Sequence, residues 1–169
     1  MLNKIIVLGM DNTGKTTICN RLSELLNYKH VNSLGPKASY MEMTGFINDT
    51  MESPDPMVLE RFCFFEEMVY GNILRGESKF DWDSIYLKTI RRANPLIIYC
   101  RPNTLKVLNF GEREQMAGVI EQSEDLLGAY DNLYITLARM GFNTLVYDYS
   151  YTTPEELADK IKVMKGEEK

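Results

Sequence analysis

The chain has 169 residues, 44% of them apolar, and a net charge of −5. That length and apolar fraction fit one domain around a real core, so residues 1–169 are expected to form a single unit. The acidic balance without a Lys/Arg cluster excludes nucleic acid as a main partner. No apolar run nears the roughly 18 residues of a membrane span, and the first ten residues are too short and too soon broken by glycine for a signal peptide.

Residues 4–8, "KIIVL", form an apolar β-branched run, expected as a buried strand. The next stretch, "GMDNTGKTT", fits G-x-x-x-x-G-K-[ST] at Gly9, Gly14, Lys15 and Thr16, the P-loop or Walker A pattern. Residues 15–27 then place Ile18, Leu22, Leu25 and Leu26 at helical spacing. In a strand–loop–helix of this kind, backbone N–H groups and the helix dipole face one point and hold an anion there. Lys15 supplies a charge for the β and γ phosphates, and the Thr16 hydroxyl suits Mg²⁺. Residues 31–56 show no settled periodicity; "SYMEMTGFIND" fits a helix, and its Met and Phe residues fit a core equally well.

After the Pro-bounded "SPDP", residues 57–60, "MVLE", are expected as a short strand. Further strands are expected at 95–100, "PLIIYC", and 143–149, "NTLVYDY". Helices are expected at 64–76, 81–93, 122–140 and 153–165, the last opening with a Thr153–Glu156 capping box. Strands alternating with helices imply an α/β fold with a parallel sheet covered on both faces. Ligands bind at the carboxyl ends of such strands, where Gly9, Glu60, Arg101 and Asp148 fall. Cys19, Cys63 and Cys100 cannot all pair and show no metal-ligand spacing, so reduced thiols in a cytoplasmic protein are expected. His30 is the only histidine, which argues against a His-rich metal site.

A small GTPase would carry a D-x-x-G segment after its second or third strand and a guanine reader like N-K-x-D; neither is present. A transporter or motor ATPase would be a longer chain with a Walker B run of four apolar residues ending in Asp, of which "MVLE" is a weak version. What remains is a small kinase. "GMDNTGKTT" resembles the G-x-D-x-x-G-K-[ST]-T loop of thymidylate kinases, and "LERF" resembles their D-R-[YHF] motif with Glu60 in place of Asp. "LERF" is also similar to the E-R-S motif of deoxynucleoside kinases. "EMVYGNILRG" resembles the V-Y-G-x-x-x-R-G segment of small, often phage-encoded, thymidylate-kinase-like proteins. "IIYCRP", "REQMAGV", "AYDNL" and "YDYS" resemble their pre-lid strand, lid, post-lid helix and last strand. The run from Glu60 to Tyr70 is one residue longer than the family spacing.

The resemblance implies a P-loop kinase three-layer sandwich with a short helical lid at about 109–119, using ATP and Mg²⁺. It implies that Gly9, Asn12, Thr13, Gly14, Lys15, Thr16, Thr17 and Arg101 hold the nucleotide. Asp11 would hold the acceptor's sugar hydroxyl or order the metal shell, Thr16 would serve the metal, and Glu60 would serve the metal or accept a hydrogen bond from the substrate, as the base if the acceptor is a nucleoside hydroxyl. Arg61, at a strand end, can clamp an acceptor phosphate; the bland alternative is an ion pair with Glu60 or Glu66. Phe46 is a candidate for stacking on the base, Tyr70 for crowding the 2′ position, and Lys37 and Arg75 for contacting the acceptor. Asn12 stands where some thymidylate kinases place an arginine, so the catalytic cation is expected from Arg113 in the lid, with Arg101 as the rival. Three readings follow: a deoxynucleoside monophosphate kinase, thymidylate being the favoured acceptor; a deoxynucleoside kinase; or a nucleotide-binding protein without catalysis. The partners expected are small nucleotides, with a homodimer left open.

Overall fold

The computed structural model describes residues 2–111 and 117–166. Five parallel strands form one sheet: β1 (Lys4–Leu8), β2 (Lys29–Asn32), β3 (Met57–Glu60), β4 (Leu96–Cys100) and β5 (Asn143–Tyr147). Their order is β2-β3-β1-β4-β5. The chain leaves central β1 toward one edge, returns through β3, then crosses β1 to build the other edge. The strand order therefore reverses around β1, which puts a crevice at its carboxyl end.

Side chains alternate across each strand. Ile6, Leu8, Leu59, Ile97 and Tyr99 face one layer; Ile5, Val7, Val58, Ile98 and Cys100 face the other. The second layer is covered by α1 (Lys15–Leu26) and α7 (Pro154–Lys165), through Ile18, Cys19, Leu22, Leu157 and Ile161. The first is covered by α2 (Tyr40–Glu52), α3 (Cys63–Glu66) with a π-helical continuation Glu67–Arg75, α4 (Ile85–Ala93) and α6 (Ser123–Arg139). A short α5 (Thr104–Val107) follows β4. The expected α/β sandwich with a parallel sheet is thus the observed architecture.

Several elements differ from expectation. β2 carries no apolar alternation: its burial runs exposed, intermediate, intermediate, exposed, because it is a short edge strand. α2 is a full helix opened by a capping box, in which the Ser39 hydroxyl accepts from Glu42 N–H and Glu42 accepts from Ser39 N–H. That Ser-x-x-Glu signal was present in the sequence. α4 starts at Ile85 rather than 81 because Ser84 caps it, its hydroxyl accepting from Tyr86 N–H. The helix expected at 64–76 turns π-helical from Glu67, with i→i+5 bonding through Arg75.

Candidate active site

The P-loop leaves β1 through backbone that only glycine adopts easily. Gly9 has φ 142°, and a Cβ there would lie 2.7 Å from the carbonyl oxygen of Cys100 on β4. Thr13 Oγ1 donates to the Met10 carbonyl at 2.8 Å. Lys15 is buried and its Nζ also donates to that carbonyl. Burial pushes the Lys15 pKa down, against the charges of Glu66 and Glu60, which favour the ammonium. Among the described residues α1 has no side-chain cap and no acidic residue in its first turn, whereas α2 and α7 both carry capping boxes. Its positive end is left facing the loop, with Thr16 and Thr17 exposed beside it. Asn12, at φ 65°, donates through Nδ2 to the carbonyls of Lys106 and Asn109, both at 2.8 Å. The loop is thereby tied to the start of the segment expected to be the lid.

Beside the P-loop, Thr16 Oγ1 donates to Glu60 Oε1 at 2.5 Å. Glu60 is buried at the carboxyl end of β3, where strand direction and register bring it to the first turn of α1. A hydroxyl and a carboxylate are hard oxygen donors of the kind Mg²⁺ takes, so these residues fit that ion. The other Glu60 oxygen lies 3.0 Å from His30 Nε2 on β2.

A cavity of about 500 Å³ opens on the α2 face of the sheet. It is walled by Asp11 of the P-loop, residues 33–36 and Ala38, Arg61, Glu66 and the π-helical residues Glu67, Tyr70, Leu74 and Arg75. Arg61 follows β3 in the left-handed region at φ 56°, an unusual conformation for a long side chain. That backbone places its guanidinium between two carboxylates: Nη2 pairs with Asp11, and Nη1 lies 3.6 Å from Glu66 Oε2. The expected alternative partner Glu66 is found, while Glu60 is engaged with Thr16 instead. Tyr130 of α6 donates to Glu66 Oε1 at 2.6 Å. Burial pushes the Glu66 pKa up, opposed by the charges of Arg61 and Lys15. Opposite, Arg75 pairs with Glu67, which also accepts from Lys79 N–H at 3.2 Å. Gly71 lets that pair close, since a Cβ there would sit 2.9 Å from Arg75 Nη2 and 3.0 Å from Glu67 Oε1. The Tyr70 hydroxyl is buried with no hydrogen-bond partner among the described residues, and burial raises its pKa to about 12.

The structure brings Asp11, Arg61, Tyr70 and Arg75 to this cavity and leaves Lys37 and Phe46 off its walls. Lys37 is exposed, and Phe46 packs on Phe62 with ring centroids 6.1 Å apart. Arg101 closes β4 and is engaged by Asp131 of α6, Nε to Oδ1 at 2.8 Å and Nη2 to Oδ2 at 3.1 Å. Tyr99 donates to the same carboxylate at 2.7 Å. Arg113 lies outside the described residues, although Ala117 beyond it lines the cavity. Sequence reasoning named Glu66 only as an ion-pair partner of Arg61, read His30 only as an argument against a His-rich metal site, and passed over Glu67, Tyr130 and Asp131. A carboxylate following an apolar pair, as in "FFEE", was the available signal for Glu66 and Glu67.

No protein-family model matches the chain. No curated protein matches it in sequence. Among solved structures, YorR protein from Bacillus subtilis, in complex with phosphorylated GDP, superposes with a TM-score of 0.75 at 18% identity, over 96% of this chain and 95% of that one. Deoxyadenosine kinase from M. mycoides with bound dCTP gives 0.63 at 16% identity, over 96% and 99%. Thymidylate kinase from Candida albicans gives 0.56 at 12% identity, over 99% and 94%. The chain has the fold of the P-loop kinases. At such identities the likeness to a thymidylate kinase is a likeness of fold, no stronger than the likeness to a nucleoside kinase.

Proposed function

We propose that the chain is an ATP-dependent phosphotransferase whose acceptor is a deoxynucleoside monophosphate, thymidylate or a related pyrimidine nucleotide. The observation that carries this reading is the cavity that shares Asp11 with the P-loop and presents Arg61 and Arg75 from its walls. ATP phosphates rest on the backbone of residues 9–17, with Lys15 over them and Arg101 toward the base. Thr16 and Glu60 hold Mg²⁺, which supplies charge neutralisation on the transferred phosphoryl group. Arg61 and Arg75 turn from their carboxylate partners to the acceptor phosphate, and Asp11 and the Tyr70 hydroxyl meet its sugar. A phosphate acceptor is ionised near neutral pH, so no strong base is required. The expected lid, 109–119, closes over the phosphates and brings Arg113 to them, which excludes water. Buried free thiols at Cys19, Cys63 and Cys100 accord with a reducing, cytoplasmic setting.

One observation favours a second reading, a deoxynucleoside kinase. Among the described residues the cavity is lined by three carboxylates, Asp11, Glu66 and Glu67, against two guanidiniums, a balance that suits a neutral acceptor. Glu66, with its raised pKa, would then accept the hydroxyl proton. Turnover of ATP with a panel of nucleosides and 5′-monophosphates decides: transfer to monophosphates alone supports the first reading, transfer to nucleosides alone the second. ATP binding with no transfer to any member overturns both.

A further inference from the structure

Three elements meet beneath the P-loop in a way their sequence spacing conceals. His30 pairs with Val58 and Asn32 with Glu60 in the β2–β3 register. By strand alternation His30 and Glu60 therefore share the face that packs on α1, and Cys19 of α1 comes down onto it. One ligand atom each from Cys19, His30 and Glu60 lies within 4.8 Å of the other two. Cys19 and Glu60 are buried and the His30 side chain is 19% exposed, which leaves an entry path on the histidine side.

The imidazole is held from behind. His30 Nδ1 lies 2.8 Å from Asn20 Oδ1 and donates to it, the partner arrangement that fixes a metal-ligating tautomer. Nε2 then faces a carboxylate oxygen 3.0 Å away. Two electron-pair donors at that distance call for a cation between them, a proton or a metal ion. Sulfur, imidazole nitrogen and carboxylate oxygen with a fourth position left to water make a donor set of the zinc type.

We propose that Cys19, His30 and Glu60 form a site for a thiophilic divalent cation of the zinc class, and that its occupancy opposes Mg²⁺ at Thr16 and Glu60. On binding, the Cys19 thiol releases its proton to solvent and the sulfur forms a bond to the metal; no electron is transferred. The opposition follows from Glu60, which faces His30 with Oε2 and Thr16 with Oε1. A dication on one oxygen repels a second dication at the other. This second clause rests on the phosphotransferase reading; the site itself does not.

Cobalt(II) is the probe, added to the full chain without nucleotide. The expected result is a near-ultraviolet thiolate-to-cobalt charge-transfer band with the visible bands of tetrahedral cobalt. Both are lost in Cys19→Ala and kept in Cys63→Ala. Zn²⁺ affinity, from competition with a chromophoric chelator, should fall at least about 10-fold in His30→Gln and in the half-way case Asn20→Ala, which removes only the partner behind the ring. Asn20 is exposed, so that variant answers even if Cys19→Ala fails to fold. Absence of the thiolate band in wild type, or its persistence in Cys19→Ala, overturns the site. In turnover assays, Zn²⁺ should inhibit wild type in a manner relieved by excess Mg²⁺ and inhibit Cys19→Ala much less. Equal inhibition of both overturns the opposition to Mg²⁺. Absence of turnover with every acceptor would overturn the phosphotransferase reading and leave the cobalt spectrum to decide the site.

Discussion

Replacing Arg61 separates three effects that the structure places in one residue. Its guanidinium contacts Asp11 and Glu66, and its side chain is 33% exposed. A hydrogen bond to a charged group contributes about 1.5–3 kcal/mol, and partial exposure moves the folding share toward about 1–2 kcal/mol. Arg61→Ala should therefore lower the melting temperature by several degrees, at about 2–4 °C per kcal/mol for a chain of this size. The loss should grow with pH. Arg61 is the largest influence opposing the burial that raises the Glu66 pKa, so without it that pKa climbs further above its unfolded value. A carboxyl with a raised folded pKa contributes stability below its unfolded pKa and loses it as pH rises, so the variant should suffer more in alkaline than in acid buffer. Backbone strain gives an internal control. At φ 56° glycine is less strained than alanine, so Arg61→Gly should be more stable than Arg61→Ala by about 1 kcal/mol. Both variants should weaken the monophosphate alike, by about 10- to 150-fold, if one charge-assisted contact of about 1.5–3 kcal/mol is lost, and leave ATP nearly untouched. Calorimetric titrations with each nucleotide and thermal melts across pH test this. ATP weakened with the monophosphate unaffected would move Arg61 to the donor side and refute the reasoning.

Lys15→Ala should keep the fold and reduce phosphoryl transfer by about 10²-fold or more, the scale of one preorganised charge; wild-type turnover with normal ATP affinity would remove the P-loop from the chemistry. Arg113→Ala should lower kcat at least about 10-fold with dissociation constants nearly unchanged, the pattern of an interaction made in the transition state. Arg101→Ala should affect kcat less, because Asp131 already engages that guanidinium at two atoms; steady-state kinetics giving the reverse order would mean a preformed site without a catalytic lid. Gly71→Ala would bring a Cβ to 2.8 Å from the Glu77 carbonyl oxygen, so denaturant unfolding should show a loss of about 1–3 kcal/mol.

The P-loop was legible in the sequence because its geometry is local: nine consecutive residues set the turn, the charge and the helix start. β1 and β3 form at the expected bounds for a related reason, since apolar runs in a sheet covered on both faces need no partner to be recognised. The Thr153–Glu156 box likewise opens α7 as read. β2 escaped notice because a half-exposed edge strand of four residues carries no periodic signal. What only the tertiary structure decided is which side chains face one another. The left-handed backbone at Arg61 sets its guanidinium between Asp11 and Glu66, residues from two other elements. The β2–β3 register brings His30 to Glu60, and a shift of one residue would send His30 to the opposite face of the sheet. Phe46 could be a base-stacking residue on paper, yet helix α2 turns it onto Phe62. Residue type and short-range spacing determine what a segment can become; the pairing of strands and the crossing of helices determine what it meets.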